Sequence, residues 1–276
     1  MGKLKMIKLG PLTTLQDFGR FGYRRFGIPQ SGAMDKEWMI VANTLVGNPM
    51  DWPVLEFAMR GLKFEVLEEV KISVVGASIC VNGKSLNEKA FSLKMGDQVE
   101  VSSPKHVYGY LGISGRIRAK EDFGSVSTYL MAGFGGLDGR AVRAGDIIES
   151  DGAGMETKER KIPPRDTQGI AAIRIMKGPE WGLLKELPDA LVFEVDASSN
   201  RMGIRLNGKL ACDFREIASS AVVPGTIQLP ANGEPIVLMN DCQTTGGYPR
   251  IGKVLDEDLG KLAQLKSGAK ISFISS

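Results

Sequence analysis

The chain has 276 residues, of which 43% are hydrophobic and 24% are charged, as in an ordinary globular protein. These proportions exclude a disordered chain and allow one large domain or two of middling size. Thirty-five basic residues against 32 acidic ones leave a net charge of +3. That small excess does not indicate nucleic acid or an anionic membrane surface as a partner.

The N-terminal residues lack the apolar stretch of a secretory signal, and the longest uncharged stretch, 217–233, is interrupted by two prolines. We therefore expect a cytoplasmic protein without a membrane span. The three cysteines are far apart and odd in number, which does not favour a disulfide framework. The single histidine, His106, is expected at a turn. Because no zinc site with two histidines is possible, proton transfer must rest on carboxylates, Lys or Tyr.

Short β-branched and aromatic runs, bounded by turn residues, predict a mainly β fold with a few helices. The first predicted helix covers Asp35–Val46, with Asp35 as its N-cap and Gly47 just beyond its end. Asn82-Gly83 predicts a hairpin turn. The later elements are predicted strands at Val70–Val75, Ser78–Val81, Gln98–Val101 and Val107–Ile113, and helices at Glu180–Glu186 and Asp256–Leu265.

Three basic-x-Gly turns each precede a strand, at Lys94–Gly96, Arg143–Gly145 and Lys266–Gly268. Such turns recur in compact barrels, although three short matches make a weak repeat. The polar segment 153–169 contains Pro163-Pro164 and is interpreted as a linker. It separates predicted domains at residues 1–152 and 170–276, and the cleft between two such domains is a common place for a small-molecule site.

A first polar motif holds Gln16, Asp17 and Arg20 between glycines. Glycine allows the backbone to approach a ligand, and the three side chains offer a donor, an acceptor and a guanidinium fork. A solvated loop explains the same composition. The next motif, 27–35, leads into the first predicted helix, whose N-terminus could bind a carboxylate or phosphate or simply be capped.

The C-terminal half carries two further polar motifs. In 198–206 the two arginines, Arg201 and Arg205, are expected on one strand face. The richer motif, 241–249, follows an apolar strand and brings several side chains and free N–H groups to one rim. No Walker A loop is present, and neither Lys94 nor Lys177 has Met on both sides, so we do not expect attached biotin.

Together these motifs resemble the biotin-dependent carboxyltransferase-like family, which includes the C component of 5-oxoprolinase, the Kip inhibitor antagonist and the second subunit of allophanate hydrolase. The resemblance extends from about residue 10 to residue 275. The matching residues are Thr13, Thr14, Gln16, Asp17, Gly19, Arg20, Gly22, Ser31–Asp35, Ala42–Asn48, Gly133–Gly136, Gly139, Arg140, Gly145, Asp146, Ser199–Leu206, Pro224–Gln228 and Gln243–Pro249.

The resemblance implies two cyclophilin-like β-barrel domains. It also implies one component of an ATP-dependent 5-oxoprolinase complex that hydrolyses 5-oxo-L-proline to L-glutamate, together with a Kip inhibitor-like B component and an A component. The complex would use ATP, and the sequence does not locate the ATP site in this chain or assign it to one of the subunits. Two other functions stay open. One is transfer of a carboxyl group from carboxybiotin, as a co-substrate, to urea or a related amide, and the other is non-catalytic binding of a Kip inhibitor-like kinase inhibitor.

Two positions depart from the family pattern, since Val126 stands where relatives usually have arginine and Arg116 where they tend to have glycine. A missing arginine would change an anion site for the substrate. Neither departure affects the family resemblance.

A lactam with a carboxylate needs a fork for the carboxylate, a donor and an acceptor for the amide, and a proton acceptor for ring opening. The sequence assigns the first role to Arg201 and the last to Asp241, which are the predicted catalytic residues. An alternative is that these two residues form a structural ion pair. The predicted substrate-binding residues are Asn200, Gln228, Gln243, Thr244 and Tyr248, with Gln16, Asp17 and Arg20 in a corresponding N-terminal loop.

Overall fold

The computed structural model describes residues 2–87, 89–152, 160–165, 169–186, 191–214 and 217–275. Within these ranges the chain forms 21 strands, two α-helices and two three-residue 3₁₀ helices. The mainly β fold expected from the sequence is confirmed. In the part of the chain described here, no helix is long and apolar enough to cross a membrane.

The chain divides into two compact units. The first consists of Met1–Arg20 and Ser31–Pro164, and the second of Phe21–Gln30 and Arg165–Ser276. A short early segment is therefore part of the second unit. Much of the predicted linker, at 153–159 and 166–168, lies outside the described residues, so its boundaries stay a prediction.

Twelve antiparallel strands and one helix, α1 (Lys36–Leu45), build the first unit. The strands are β1 (Gly2–Lys8), β2 (Thr14–Gln16), β3 (Val54–Ala58), β4 (Leu62–Glu68), β5 (Val70–Val75), β6 (Ile79–Val81), β7 (Lys84–Leu86), β8 (Ala90–Leu93), β9 (Gln98–Val101), β10 (Tyr108–Ile113), β11 (Arg116–Ile117) and β12 (Ile147–Asp151). They form a seven-stranded sheet, ordered β11-β12-β1-β4-β9-β6-β7, and a five-stranded sheet, ordered β2-β3-β10-β5-β8.

The two sheets share one apolar core, because strand alternation directs every second side chain inward. In β1, Leu4 and Met6 are fully buried whereas Lys5 is exposed. They belong to the same cluster as Phe57 of β3 and Phe64 of β4. The first unit thus folds around residues contributed by both sheets.

Local signals predicted several elements of this unit well. Asp35 caps α1 by accepting a hydrogen bond from the backbone N–H of Trp38 at 3.2 Å. Asn82 and Gly83 connect β6 to β7 with φ of 50° and 81°, the conformation that a two-residue hairpin turn requires. His106 lies at a bend before β10, where its ring packs edge-on against Trp38 at 5.6 Å.

The second unit is a closed barrel whose strands follow the order β13-β20-β17-β18-β15-β14-β21. A two-stranded ribbon, β16 with β19, and one helix accompany it. The elements are β13 (Ile170–Lys177), β14 (Val192–Val195), β15 (Gly203–Asn207), β16 (Ser220–Ala221), β17 (Thr226–Gln228), β18 (Ile236–Leu238), β19 (Thr245–Gly246), β20 (Arg250–Val254), α2 (Asp256–Ala263) and β21 (Lys270–Ser275). Barrel closure is completed by β13 and β21, which pair in parallel.

The short helix predicted over Glu180–Glu186 is wrong, because only Trp181–Leu183 is helical, as a 3₁₀ turn. Gly182 lies inside this segment and favours other conformations over the α-helix. Leu184 then adopts an extended backbone and forms a β-bridge with Cys212.

The three basic-x-Gly turns have the same geometry. In each, the residue after the glycine donates its N–H to the carbonyl of the basic residue three positions earlier, and the glycine N–H donates to another segment's carbonyl. All three glycines have the positive φ that an L-residue with a side chain adopts only with strain. The pairs and φ values are Gly96 to Val66 (89°), Gly145 to Met6 (93°) and Gly268 to Val195 (83°).

Candidate functional site

Arg201 and Asp241 form a bidentate ion pair in the second unit. Nε of Arg201 lies 2.7 Å from Oδ2 of Asp241, and Nη2 lies 3.1 Å from Oδ1. The backbone N–H of Asp241 also donates to the carbonyl of Arg201 at 2.9 Å. Only 13% and 10% of the two side chains are exposed. The fork of Arg201 is therefore occupied by Asp241, and the pair fixes the orientation of both groups.

The expectation that Arg201 and Arg205 share a strand face is wrong. β15 begins at Gly203, so Arg201 lies in the turn before the strand and only Arg205 lies in it. The turn brings Arg201 to Asp241, which follows β18.

The two glutamines expected to bind an amide lie together. Gln228 ends β17 and is 2% exposed, and its Oε1 accepts a hydrogen bond from Nε2 of Gln243 at 3.2 Å. Among the described residues, Nε2 of Gln228 has no hydrogen-bond partner although it is buried. A Cβ at Gly246 would lie 2.3 Å from this Nε2, so the amide packs directly on the backbone of β19.

Three other predicted residues do not join these groups by hydrogen bonds. Asn200 is held in its own turn, where Oδ1 accepts from Met202 N–H at 2.8 Å and Nδ2 donates to the Ser198 carbonyl. Thr244 contributes its carbonyl, which accepts from Val222 N–H at 3.1 Å. Tyr248 is 46% exposed.

Tyr248 instead lines a polar cavity of about 340 Å³ on the second unit. Arg205 and Asp196 also face this cavity, which is otherwise lined by Ser198, Leu206, Asn207, Pro230, Asn232, Glu234, Pro235 and Ile236. Hydrogen bonds from the side chain and backbone of Ser198 lower the pKa of Asp196. The cavity is open enough for a small polar molecule, but neither Asp241 nor Gln228 lines it.

Arg24, which the sequence did not single out, lies beside the predicted residues. Its Nη2 donates to the carbonyls of Val222 and Gln243, the latter at 2.9 Å, and lies 3.8 Å from Sγ of Cys242. Burial raises the pKa of the Cys242 thiol, so this sulfur is not a ready nucleophile. No local pattern could have found Arg24, because its partners lie 198 and 219 positions along the chain.

The N-terminal motif lies in the first unit, where Asp17 is the centre of a hydrogen-bond network. Its carboxylate accepts from the hydroxyls of Ser125 and Ser127, at 2.6 and 2.5 Å, and from the N–H groups of Gly19 and Val126, both at 2.8 Å. Val126, which stands where relatives usually have arginine, therefore contacts Asp17 through its backbone N–H. The network joins the segment around Asp17 to residues 125–127 and engages both carboxylate oxygens.

The neighbours of Asp17 extend this network. Arg20 is 1% exposed, and its guanidinium donates to the carbonyls of Asp122 and Ser127. Gln16 is buried, and its Nε2 donates to the Thr128 carbonyl at 3.1 Å. Arg116, the second departure, pairs instead with Glu121 on the surface.

The N-terminus of α1 already carries anions of the protein itself. Glu56 is 2% exposed, and its Oε2 accepts from Met34 N–H and from the hydroxyl of Tyr110, both at 2.8 Å. Burial, with the carboxylates of Glu56 and Asp35, raises the pKa of Tyr110 well above its usual value, so the phenol remains a donor. The carboxylates of Asp35 and Glu56 thus lie at this helix end, which favours the simple cap among the two sequence interpretations.

The phosphates of ATP do not fit the helix ends either. α2 begins with Asp256, Glu257 and Asp258, which repel phosphate, and α1 is occupied as described. The helix N-termini in the described ranges therefore do not fit a triphosphate. The described residues also contain no group of three or more His, Cys, Asp or Glu side chains arranged to hold a metal ion.

Comparisons with known proteins agree with this architecture. The model of the carboxyltransferase domain, subdomain A and B, matches residues 26–275. The chain is 36% identical over 284 residues to the C component of 5-oxoprolinase from Escherichia coli K12, covering 98% of this chain and 90% of that protein.

Two solved structures share the fold over almost the entire chain. The urea carboxylase of Kluyveromyces lactis superimposes with a TM-score of 0.90 at 28% identity, over 99% of this chain and 27% of that enzyme. The protein TTHA0988 superimposes with a TM-score of 0.88 at 27% identity, over all of this chain and 56% of that one. This chain thus spans little more than half of TTHA0988 and about a quarter of the urea carboxylase. On the family match and the Escherichia coli relative, it belongs to the carboxyltransferase domain family with subdomains A and B.

Proposed function

We propose that this chain is the C component of a 5-oxoprolinase, which hydrolyses 5-oxo-L-proline to L-glutamate together with partner subunits. The observation that carries the proposal is the 36% identity with the Escherichia coli C component, which covers nearly the whole of both chains. The partners are a Kip inhibitor-like B component and an A component, and we place the complex in the cytoplasm.

In the proposed reaction, water adds its oxygen to the lactam carbonyl carbon, the C–N bond breaks, and the ring nitrogen gains a proton. Asp241 is the proposed proton acceptor. The bidentate pair with Arg201 holds its carboxylate in one orientation, and each oxygen keeps a second lone pair that can take the proton. Gln228 and Gln243 match the amide, because their side chains contain both donors and acceptors and already lie 3.2 Å apart.

ATP supplies the free energy for opening a stable lactam. Since the helix N-termini of the described residues carry carboxylates, we assign the ATP site to a partner protein of the complex. This chain then contributes the binding of the lactam, its orientation and the movement of a proton. It should therefore be inactive alone.

Reconstitution tests the proposal. The purified chain is mixed with candidate A and B components, and glutamate release and ATP hydrolysis are measured with each component omitted in turn. We expect turnover only in the complete mixture. Full turnover by this chain alone, or none in any mixture, would contradict the proposal.

A second candidate function is carboxyl transfer from carboxybiotin to urea or a related amide. The fold similarity to the urea carboxylase of Kluyveromyces lactis supports it. The same amide-binding groups would serve a planar urea, with carboxybiotin brought by another domain or protein. Urea-dependent loss of carboxyl from a carboxylated biotin carrier, in a mixture that releases no glutamate from 5-oxoproline, would favour this second function.

A further inference from the structure

We propose that Arg24 binds the carboxylate of the substrate, a role the sequence assigned to Arg201. This inference rests on the proposed function, because it names the part of the 5-oxoproline molecule that the second unit recognises. The binding groups form a set that we name the Arg24 cluster, consisting of Arg24, Ser220, Gln228 and Gln243.

The guanidinium fork of Arg201, expected to bind the substrate, is already occupied. Two of its nitrogens bind both oxygens of Asp241, so a substrate carboxylate at Arg201 would have to displace a partly buried carboxylate. Separating such a pair leaves a partly buried carboxylate without its partner, which is strongly unfavourable. Another cation must then neutralise an anionic substrate.

The hydrogen-bond partners of Arg24 are neutral. Its Nη2 donates to two backbone carbonyls, those of Val222 and Gln243. Among the described residues Arg24 has no carboxylate partner, and its Nη1 is buried without any hydrogen-bond acceptor. A guanidinium that has an N–H without an acceptor gains a charge-assisted hydrogen bond when it binds a carboxylate.

Other unused polar groups surround the same short stretch of chain. Nε2 of Gln228 and Oγ of Ser220 are both buried without a partner within the described ranges. Ser220 pairs with Gly246 across the β16–β19 ribbon, and Gly246 packs against the amide of Gln228. Buried polar groups are normally hydrogen-bonded, so several such groups around one segment indicate a missing acceptor.

These groups match one ligand chemistry. A guanidinium N–H, an amide N–H and a hydroxyl can all donate to the oxygens of a carboxylate. Urea is neutral and would leave the charge of Arg24 unpaired, whereas 5-oxoproline carries a carboxylate beside its lactam. The carboxyl group transferred by carboxybiotin has similar chemistry, so the experiment must distinguish the two sources.

The test is equilibrium binding to the full chain, measured by ligand-observed NMR. The ligands are 5-oxo-L-proline, the neutral lactam 2-pyrrolidinone, and bicarbonate as a probe of a transferred carboxyl group. For the wild-type chain we expect tighter binding of 5-oxoproline than of the neutral lactam. The Arg24→Gln variant should bind 5-oxoproline about tenfold to a hundredfold more weakly, the usual size of a charge-assisted hydrogen bond. Its affinity for 2-pyrrolidinone should stay unchanged.

Arg25→Gln is the matched control, because Arg25 is exposed and stacks on the ring of Phe26 at 4.8 Å. It should bind every ligand as the wild type does. Arg24→Lys keeps the charge without the fork, so we expect intermediate binding, and this variant replaces Arg24→Gln if the latter fails to fold by circular dichroism.

Three results would overturn the inference. In the first, the wild type fails to bind 5-oxoproline; in the second, both Arg24 variants bind 5-oxoproline as tightly as the wild type; in the third, bicarbonate is the one ligand whose binding depends on Arg24. Its failure can be told apart from that of the proposed function. Glutamate release by the reconstituted complex without an Arg24 effect on binding removes only the inference. Arg24-dependent binding of 5-oxoproline without glutamate release removes only the proposed function.

Discussion

Asp17 in the first unit and Asp241 in the second come from similar polar, glycine-rich motifs, yet their surroundings differ. Asp17 is held by two hydroxyls and two backbone N–H groups, which join distant segments of one unit. Asp241 is held mainly by a single guanidinium, that of Arg201. Donors from several segments make Asp17 a structural junction, whereas one side chain orients Asp241, the proposed proton acceptor.

Two arginines show the same contrast. Arg20 and Arg24 each donate to two backbone carbonyls within their own unit. Arg20 is 1% exposed and extends the Asp17 network, whereas Arg24 is only partly buried. Buried polar atoms without partners in the described residues occur near both, for example Oε1 of Gln16 in the first unit and Nε2 of Gln228 in the second. Similar local sequence therefore produces a fully buried arginine in one unit and, in the other, a partly exposed one that we propose as the carboxylate ligand.

The largest expected effect comes from Asp241→Asn, which removes the charge and keeps the shape. If Asp241 accepts the proton, activity of the reconstituted complex should fall by two or more orders of magnitude. The thermal midpoint should also fall, because asparagine offers Arg201 one acceptor oxygen in place of two and turns an NH2 donor toward its guanidinium. An unchanged rate with a large loss of stability would make the pair structural. Asp256→Asn, at a carboxylate that is 79% exposed, is the control.

The corresponding change in the first unit, Asp17→Ala, should act on stability. It leaves Ser125, Ser127 and two N–H groups without their acceptor. We expect the free energy of unfolding, measured by urea denaturation of the full chain, to fall by roughly 3–5 kcal/mol. Asp51→Ala, at an exposed turn, should change this value little. If Asp17→Ala leaves stability intact but abolishes activity, Asp17 belongs to the site after all.

A pair of glycine substitutions probes the two regions more finely. In Gly135→Ala the new Cβ would lie 2.4 Å from the Ser127 carbonyl oxygen, and the φ of +67° would be strained for alanine. We therefore expect the free energy of unfolding to fall by about 2–4 kcal/mol. In Gly246→Ala it would lie 2.3 Å from the end of the Gln228 side chain. Because that amide can move, the loss should be about 1 kcal/mol, with a raised KM for the substrate. Urea denaturation measures both, and equal losses would contradict the contrast.

The smallest effect concerns carboxylates held by arginine in the second unit. Hydrogen bonds from Arg250 lower the pKa of Glu180, and those from Arg174 lower that of Asp258 against the opposing effect of burial. Because the folded pKa is the lower one, this stabilisation is complete above the unfolded pKa of about 4 and disappears as pH falls through the folded value.

The thermal midpoint should therefore fall as the pH drops below about 4. Glu180→Gln should reduce the difference in midpoint between about pH 7 and about pH 3, whereas Glu194→Gln, on an exposed strand position, should not. Equal pH dependence in all three proteins would show that the Arg250 pair contributes nothing.

The structural elements that depend only on neighbouring residues were predicted correctly from the sequence. The N-cap at Asp35 located α1, and Asn82-Gly83 located a hairpin, because each depends on neighbouring residues only. The sequence also assigned Gln228 and Gln243 to one amide-binding site, and in the structure their side chains form a hydrogen bond with each other, which was not predicted. The position of Arg24 could not be predicted, because it depends on barrel closure and on a carbonyl 198 positions away. The helix predicted over Glu180–Glu186 is wrong because Gly182 disfavours the α-helix and Leu184 forms a β-bridge with the distant Cys212.

The segment Phe21–Gln30 has a consequence for biosynthesis, because it is made early and belongs to the unit that is completed last. During synthesis on the ribosome, Arg24 cannot form these hydrogen bonds until Val222 and Gln243 have been added to the chain. Contacts between such distant positions slow folding and prolong the exposure of incomplete intermediates. A gene split before Arg165 would encode a C-terminal product that lacks a part of its own barrel unit, and supplying 21–30 as a separate peptide should help that product fold.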